Sequence, residues 1–342
     1  MVPVRGNDQE NAVGINESND EDGLVCAYLQ WPDGRWQAVD WDGVRAWRPG
    51  DGLLWMHFNR SAEATRSWLH EGSGLDALVA DNLLAEETRP RALAMDGNLL
   101  VNLRGVNLNP GADPDDMVSL RIWLEPGRIV TSRRRRLMAI DDIREHITRG
   151  KGPRDTGDFL VEVAGLLVNR MSPVIEQLDE AADDLEEQVV TGEREDVRTR
   201  LASLRRQAIS LRRYLAPQRE ALSRILGEPV DWLHERHKAQ LREISDRTMR
   251  YVEDLDAIRE RAAVIQDEVA NRVAESMNKN MYMLAIVATI MLPLGFITGL
   301  LGVNVDGLPG AHDAPWAFAA LSAFLLVLVF LQVLVMRRLK WF

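Results

Sequence analysis

The 342-residue sequence contains a single cysteine, Cys26, and this scarcity excludes two kinds of site. One thiol cannot close a disulfide within the chain, and it cannot supply the several thiolates of a metal cluster. The first 23 residues are polar and acidic, and they lack the apolar segment of a secretory signal peptide. We therefore expect residues 1–23 to form a disordered acidic tail.

Basic residues are also in short supply. The 41 lysines and arginines are outnumbered by 52 aspartates and glutamates, so the net charge is -11. Nucleic-acid binding requires basic surface against the phosphates, so we exclude nucleic acid as a general partner. An acidic protein instead raises the local concentration of cations. The sequence also lacks a phosphate-binding loop, a Ser/His/Asp grouping and paired catalytic acids in a recognisable context, which argues against an enzyme.

Two stretches of the chain contain no charged side chain. They run from Met281 to Leu301 and from Trp316 to Met336. Each is as long as the ~20 apolar residues that cross a bilayer as a helix. A pair of buried core helices is the alternative, but so near the C-terminus little chain remains to cover them. We therefore predict transmembrane spans at 281–301 and 316–336, both surrounded by membrane lipid.

The positive residues near these spans predict their orientation. Lys279 precedes the first span, and Arg337, Arg338 and Lys340 follow the second within the basic tail 337–342. The connecting loop, 302–315, contains neither lysine nor arginine. Since positive residues favour the cytoplasmic side, we expect both termini in the cytoplasm and the loop outside, as in a multi-pass membrane protein.

Residues 24–150 show short β-branched and aromatic runs interleaved with helical patterns, which predicts a cytoplasmic α/β domain. The expected strands are LVCAYLQ, WQAVDW, LLWMHFN, LLVNLRGVN, MVSLRIWL and RIVTS. Turn signals occur at MDGN (95–98) and EPGR (125–128). Three helices are expected near 62–70, 75–86 and 137–147.

From residue 151 onward the spacing of apolar residues becomes helical. We predict an antiparallel helix pair over 151–228, with a continuous first helix from Asp158 to Val190. Neither proline nor glycine occurs between 230 and 292, which favours one long helix that includes a stalk at 229–280. At 1.5 Å per residue this helix would measure roughly 105 Å over 230–301, so it needs neighbouring helices or copies of itself. Two spans do not readily enclose a hydrophilic path, so a pore implies an oligomer.

The first span ends in a glycine-rich segment, GLLGVNVDGLPG (299–310). Gly302 and Gly307 permit a sharp turn and a close approach of several subunits to one axis. Repeated around that axis, the Asn304 amide would form a neutral collar that bonds the water shell of a divalent cation. Asp306 would attract cations to the mouth. The alternative is a simple turn in which Asn304 only caps the helix.

The whole arrangement resembles the CorA superfamily of metal ion transporters. The similarity lies in an N-terminal α/β domain, long helices, the segment MLPLGFITGLLGVN with Gly302, Val303 and Asn304, a second span and the closing RRLKWF. In the magnesium branch a methionine usually occupies the position of Val303. The valine, together with Gly310 after Pro309, is similar to the zinc transporter branch, the ZntB proteins.

The resemblance implies an α/β cytoplasmic domain followed by long helices and a two-helix transmembrane domain, assembled as a funnel-shaped homopentamer in the inner membrane of a bacterium. It implies no cofactor. The cargo would be a divalent cation, zinc by branch, with cobalt, nickel, magnesium and cadmium as further candidates. Gly302, Val303 and Asn304 would form the selectivity motif. The pore-lining positions that carry over are Asn278, Met281, Leu284, Ala288, Leu292, Gly295 and Gly299.

Two other functions remain open. A magnesium or cobalt channel of the same superfamily would share these features, because the pore positions hold no thiolate or imidazole that would select zinc. A membrane-anchored scaffold or sensor, whose spans only tether the α/β domain, is the alternative from another class. The continuous helical pattern from 230 to 301 argues against a flexible tether.

Histidines provide further candidate metal ligands. His234 and His237 stand three residues apart on the predicted long helix and could share a metal ion, with Glu235 nearby. Two exposed histidines without a metal are the alternative. At the external mouth, His312 and Asp313 could meet the ion beside Asp306.

Four consecutive arginines, Arg133 to Arg136, stand at the end of a predicted strand. We interpret them as a solvated strand end that faces carboxylates.

Overall fold

The structure, a computed structural model, describes residues 22–191, 196–302 and 316–338. The chain divides into two compact units, Met1–Gln266 and Asp267–Phe342. The sequence motif residues Val303, Asn304, Asp306, His312 and Asp313 lie outside the described residues.

A seven-stranded sheet forms the centre of the first unit. Its strands are β1 (Leu24–Gln30), β2 (Trp36–Ala38), β3 (Leu53–Asn59), β4 (Arg91–Met95), β5 (Asn98–Gly105), β6 (Val118–Glu125) and β7 (Arg128–Arg133). They are ordered β2-β1-β3-β7-β6-β5-β4. The pair β3 and β7 is parallel, and every other neighbouring pair is antiparallel.

Helices cover both faces of this sheet, because successive side chains of a strand point to opposite faces. The helices of the first unit are α1 (Trp41–Ala46), α2 (Glu63–Ser67), α3 (Ala77–Leu84), α4 (Met138–Thr148), α5 (Thr156–Asn169), α6 (Ser172–Thr191) and α7 (Val197–Gly227). On one face Trp55 of β3 packs with Phe159 of α5. On the other face Met56 and Leu100 join a core with Leu83 of α3.

The α/β character of this unit was predicted correctly, and several boundaries were not. The hairpin turns at MDGN and EPGR are confirmed, with Gly97 and Gly127 at positive φ. WQAVDW is not one strand: β2 ends at Ala38, and Asp40 then caps α1 by accepting a hydrogen bond from Gly43 N. Strand β4 was missed altogether.

The helix expected from Asp158 to Val190 is in fact two helices, which is a correction. Helix α5 ends at Asn169 and α6 starts at Ser172. Proline is favoured in a first helical turn and disfavours helical geometry in the residue before it, so Pro173 places a boundary here. Helix α7 ends at Gly227, two residues before Pro229.

The second part of the chain contains a long helix, α8 (Glu235–Leu301), and α9 (Ala317–Arg338). Both hold a segment long and apolar enough to cross a membrane. Helix α8 begins five residues later than predicted. Val230 and Leu233 turn back into the core of the first unit instead, and Trp232 donates a hydrogen bond to Gly97 O at 3.0 Å.

A proline lies within the apolar part of α8. Pro293 has no N–H, so the carbonyl of Thr289, four residues earlier, loses its helical partner. Gln332 of α9 directs its side-chain amide to that carbonyl, with an Nε2 to O distance of 3.4 Å. The side-chain amide of Gln332 in α9 thereby replaces the N–H donor that Pro293 of α8 lacks.

The centre of the sheet holds a buried neutral histidine, His57. Its Nδ1 lies 2.8 Å from Thr131 Oγ1, and its Nε2 accepts a hydrogen bond from Arg133 Nε at 3.1 Å. Thr131 Oγ1 in turn accepts from Trp55 Nε1 and donates to Met56 O. Burial, then Arg133 and Arg144, lower the pKa of His57 well below its usual value. Nδ1 therefore carries the single proton.

This histidine makes the first unit sensitive to acid. A histidine in the unfolded chain has a pKa of about 6.5. Below that pH the unfolded chain binds a proton at this side chain, whereas the folded protein does not. The contribution of His57 to the free energy of unfolding is therefore fully present above about pH 6.5. Below that pH it falls by at most about 1.4 kcal/mol per pH unit.

His57→Gln keeps a donor and an acceptor but does not titrate. We expect the fall of the thermal unfolding midpoint between pH 7.5 and 5.5 to be smaller in this variant than in the native protein. An equal fall in both proteins would contradict the assignment.

Candidate functional site

The predicted pore-lining positions all lie on the exposed surface of α8. They are Asn278, Met281, Leu284, Ala288, Leu292, Gly295 and Gly299. The exposed fractions of Leu284 and Leu292 are 69% and 77%, unusually high for large apolar side chains. A Cβ atom added at Gly295 or Gly299 would meet nothing within 4 Å.

The opposite face of α8 meets α9. Its half-buried residues recur every three or four positions: Ile286, Ile290, Pro293, Leu294 and Ile297. On α9 the corresponding row is Leu321, Ser322, Leu325, Leu328, Val329, Gln332, Val333 and Met336. At 100° per residue, the centre of the predicted pore face lies roughly 180° around α8 from the face that packs on α9. The hairpin of two helices therefore leaves the predicted pore face open.

The selectivity motif begins at the end of α8. Gly302 N donates hydrogen bonds to Thr298 O at 3.0 Å and to Gly299 O at 3.2 Å, which closes the last turn of the helix. Gly302 is the only described member of the motif. The roles assigned to Val303 and Asn304 therefore stay predictions, as do those of Asp306, His312 and Asp313 at the mouth.

The two candidate histidines occupy different environments. His234 precedes α8 and is exposed, whereas His237 lies in its first turn and is fully buried. Their rings stack at a centroid separation of 5.5 Å. Glu235 pairs with Lys238 at 3.4 Å. The side chains that lie near His237 Nε2 are Arg236, whose Nε is 3.0 Å away, Asp158, at 3.2 Å, and Asp155, at 3.4 Å.

Asp155, Asp158 and His237 form the one group of possible metal ligands found within the described residues. The sequence interpretation missed both carboxylates, which lie about 80 positions before the histidine. A local signal was present: Asp155 caps α5 by accepting a hydrogen bond from Asp158 N at 2.8 Å, and a D-x-x-D spacing is typical of a helix start.

Arginine already balances the charge of this cluster. The guanidinium of Arg236 lies 2.5 Å from Asp155 Oδ2 and 3.4 Å from Asp158 Oδ1. Arg154 contacts Asp158 Oδ2 at 3.1 Å. Two carboxylates and an imidazole are suitable ligands for zinc, but a bound ion would have to displace the Arg236 head group. Since the Arg236 side chain is 48% exposed, it has room to withdraw.

A glycine lets the His237 ring reach the carboxylates. A Cβ atom added to Gly157, between Asp155 and Asp158, would lie 2.2 Å from His237 Nδ1. The ring thus rests directly on the main chain of α5. His237 Nδ1 accepts a hydrogen bond from His234 N at 3.3 Å, and His237 Nε2 accepts one from Arg236 Nε at 3.0 Å.

The single thiol is not a further ligand. Burial raises the pKa of Cys26 to about 12, so the group stays protonated at neutral pH. A metal binds the thiolate, not the thiol.

Arg236→Gln tests whether this arginine competes with a metal ion. We expect the zinc affinity of the purified full-length protein to rise about tenfold by calorimetry, because removing a unit charge beside two carboxylates favours a cation. Adding Asp158→Asn should abolish the gain. His234→Ala is the matched control and should leave zinc affinity unchanged, since this ring only stacks. No gain in Arg236→Gln would mean that the cluster is a structural ion network.

Known proteins share this architecture. The divalent cation transporter CmaX of Pseudomonas aeruginosa is 39% identical over 329 residues, which cover 95% of this chain and 98% of that protein. The zinc transport protein ZntB of Pectobacterium carotovorum is 37% identical over 320 residues, which cover 93% and 96%. The solved structure of full-length CmaX superposes with a TM-score of 0.82 at 38% identity, covering 95% of this chain and 100% of that chain.

The family of CorA-like Mg2+ transporter proteins matches residues 50–338, a range that includes most of the sheet and both apolar helices. The resemblance inferred from the sequence is therefore confirmed, and the chain belongs to the CorA-like Mg2+ transporter protein family.

Proposed function

We propose that this protein transports divalent cations, chiefly zinc, across the inner membrane through a homopentameric pore lined by α8. The observation that carries the proposal is the open face of α8, from Asn278 to Gly299, opposite the face that packs on α9. Exposed apolar side chains also lie on other sides of α8, at Met283, Val287 and Phe296, where lipid covers them, whereas the proposed pore face is distinguished by its glycines and by Asn278 at one end. In a ring of identical subunits, copies of α8 would cover this face and surround the axis.

Two glycines on this face support the same arrangement. Glycine in a helix costs about 1 kcal/mol relative to alanine. Among the residues that the structure describes, none requires Gly295 or Gly299 to lack a Cβ atom, because the space beside both is open. A reason for glycine at these positions would be a close approach between helices of neighbouring subunits, or a wide level of the pore.

The pore face would carry ions in their hydrated form. From Met281 to Gly299 its side chains are apolar or absent, so they offer no ligand to replace bound water. Met281, Leu284 and Leu292 would form narrow levels that exclude water when the pore is closed. Asn278 would form a polar ring at the inner end, and Asn304 would bind the hydration shell at the outer entrance.

The relatives support divalent cations as cargo, and the named zinc transporters among them favour zinc. The magnesium named in the family description keeps magnesium and cobalt as the second candidates. Competition among zinc, cobalt, nickel, cadmium and magnesium for entry into liposomes, at two pH gradients, separates these cargoes and tests proton coupling. A scaffold or sensor that is only tethered to the membrane would give no flux.

Asn304→Ala removes the acceptors of the outer ring. We expect zinc flux into liposomes to fall on the order of tenfold, because the entering ion loses the groups that hold its water shell. Asn304→Asp should instead bind the ion more tightly and release it more slowly. Native mass of each preparation serves as the control for pentamer assembly. Near-normal flux through an intact Asn304→Ala oligomer would reduce Asn304 to a helix cap.

Leu292→Ala tests the apolar gate. Shortening this side chain should widen a dewetted level and increase ion leak several-fold. Leu334→Ala is the matched control, because Leu334 lies on the face of α9 turned away from α8. It should leave flux unchanged. Equal effects of the two substitutions would contradict the assignment of this face to the pore.

A further inference from the structure

Three arginines, two in strands and one directly after a strand, come together at one end of the sheet. Arg121 of β6 stands opposite Asn102 of β5 and Ser132 of β7 in the ladder. Arg104 follows two positions after Asn102, so it lies on the same face. Arg60 comes directly after β3, and its N–H donates to Arg133 O at 3.0 Å. This end of the face is therefore cationic, whereas its other end holds the apolar core with Leu100 and Trp123.

Of these arginines, Arg60 and Arg121 are buried and Arg104 is half-buried. Arg60 and Arg121 are only 4% and 2% exposed. Their head groups donate to main-chain carbonyls, Arg60 to Leu84 O at 3.2 Å and Arg121 to Ala85 O at 2.6 Å. Within residues 22–191, 196–302 and 316–338, no carboxylate lies within 4.0 Å of Arg60, Arg104 or Arg121. Arginine is almost never fully buried unless it is paired.

Donor groups in this cluster also lack partners. The Nε atoms of Arg60, Arg104 and Arg121 are buried and make no hydrogen bond in the described part of the chain. The same holds for the amide of Asn102, which is 1% exposed. A buried donor without a partner costs about 1–3 kcal/mol, more when it is charged. Three arginine Nε donors without a partner in one place call for an acceptor.

The positive charges of neighbouring arginines also lower each other's pKa values. Burial, with Arg60 and Arg104 as neighbours, lowers the pKa of Arg121 to about 10. Burial and Arg134 likewise lower the pKa of Arg60. All these groups remain charged at neutral pH, so the fold holds them against their mutual repulsion.

A cavity of about 190 Å³ lies among these side chains. Arg60, Arg104, Arg121, Arg134 and Arg135 line it, against only Glu86 and Asp116, so its lining carries three net positive charges. Asp116 is already paired with Arg135. Such an excess is notable in a chain of net charge -11. It also repels the divalent cations that the protein transports, so the pocket requires a ligand of another class.

We propose that this arginine pocket binds a small dianionic oxyanion, inorganic phosphate, as a site separate from the cation path. Guanidinium groups donate paired hydrogen bonds to phosphate oxygens, which would occupy the free donors and offset the repulsion. The volume suits a free ion with a few waters, at about 30 Å³ per water molecule. It is smaller than the roughly 300–1,000 Å³ of pockets for drug-sized ligands.

The test uses full-length protein in a maltoside detergent, which contains no phosphate. Phosphate is titrated by calorimetry, and the unfolding midpoint is followed with phosphate, sulfate or chloride at equal ionic strength. We expect saturable phosphate binding at one site per chain and a rise of the midpoint with phosphate and sulfate beyond that with chloride. A ligand that binds only the folded state raises stability in this manner.

Arg134→Gln is the decisive variant, because Arg134 is exposed and its loss spares the core. We expect its phosphate affinity to fall about tenfold. Arg149→Gln removes an equally exposed arginine, paired with Glu145 outside the pocket lining, and should bind phosphate like the native protein. Arg121→Met should abolish phosphate binding and, where it folds, raise the unfolding midpoint without phosphate, since an unpaired buried charge is gone.

Several results would overturn the proposal. They are the absence of saturable phosphate binding, a phosphate effect no larger than that of chloride, or equal affinities in Arg134→Gln and Arg149→Gln. If Arg121→Met does not fold, the comparison between Arg134→Gln and Arg149→Gln still decides.

Discussion

The second unit depends on the need to satisfy main-chain hydrogen bonds in an apolar environment. A helix does so within itself, which is why the two uncharged stretches are both helical. Pro293 breaks this rule at one carbonyl, and Gln332 restores it from the neighbouring helix. That hydrogen bond selects which faces of α8 and α9 meet. Once this pairing is set, the row with Leu284, Leu292 and the two glycines is the face that remains open.

Charge compensation organises the first unit in two contrasting ways. Around His237, carboxylates and arginines alternate, so Arg236 already provides the positive charge that a metal ion would bring. Around Arg121, main-chain carbonyls are the acceptors for the arginine head groups, and no carboxylate in the described part of the chain pairs with them. Buried charge is tolerated at low cost only when it is paired and hydrogen-bonded. The first cluster therefore stands complete without a ligand, and the second is completed by an anion.

Local sequence patterns predicted those helices and strands in which the residues' own propensities and the tertiary contacts favour the same secondary structure. β1 and β3 are rich in apolar and aromatic residues. Each uncharged span is long enough to cross the apolar core of a bilayer as a helix. Strand β4, RALAM, was missed because its residues favour helices on their own, and pairing with β5 imposes the strand. The break between α5 and α6 was missed because apolar spacing continues across it.

The candidate functional sites show the same limit of prediction from local sequence patterns. A periodic helix face can be read from spacing alone, so the pore positions could be predicted as a row. The partners of His237 come from a helix about 80 positions earlier, and spacing around the histidine does not reveal them. Arg133 to Arg136 were interpreted as a solvated strand end. Arg135 and Arg136 do pair with carboxylates, but Arg134 faces the arginine pocket formed by residues isolated in three other segments.

The chemistry of the pore face bears on how such a protein could distinguish ions. Zinc is distinguished from magnesium in proteins chiefly by nitrogen and sulfur ligands, and no imidazole, thiolate or carboxylate occurs from Met281 to Leu301. The metal-ligand cluster at His237 belongs to the first unit and not to this face. The pore that we propose would act on the hydrated ion, so differences in how tightly each ion holds its water and in how wide each apolar level opens would replace direct coordination. Gly295 on this face offers no side-chain group that could hold the water shell. In the pore that we propose, selectivity would then rest on the amide groups of Asn278 and Asn304 at its two ends.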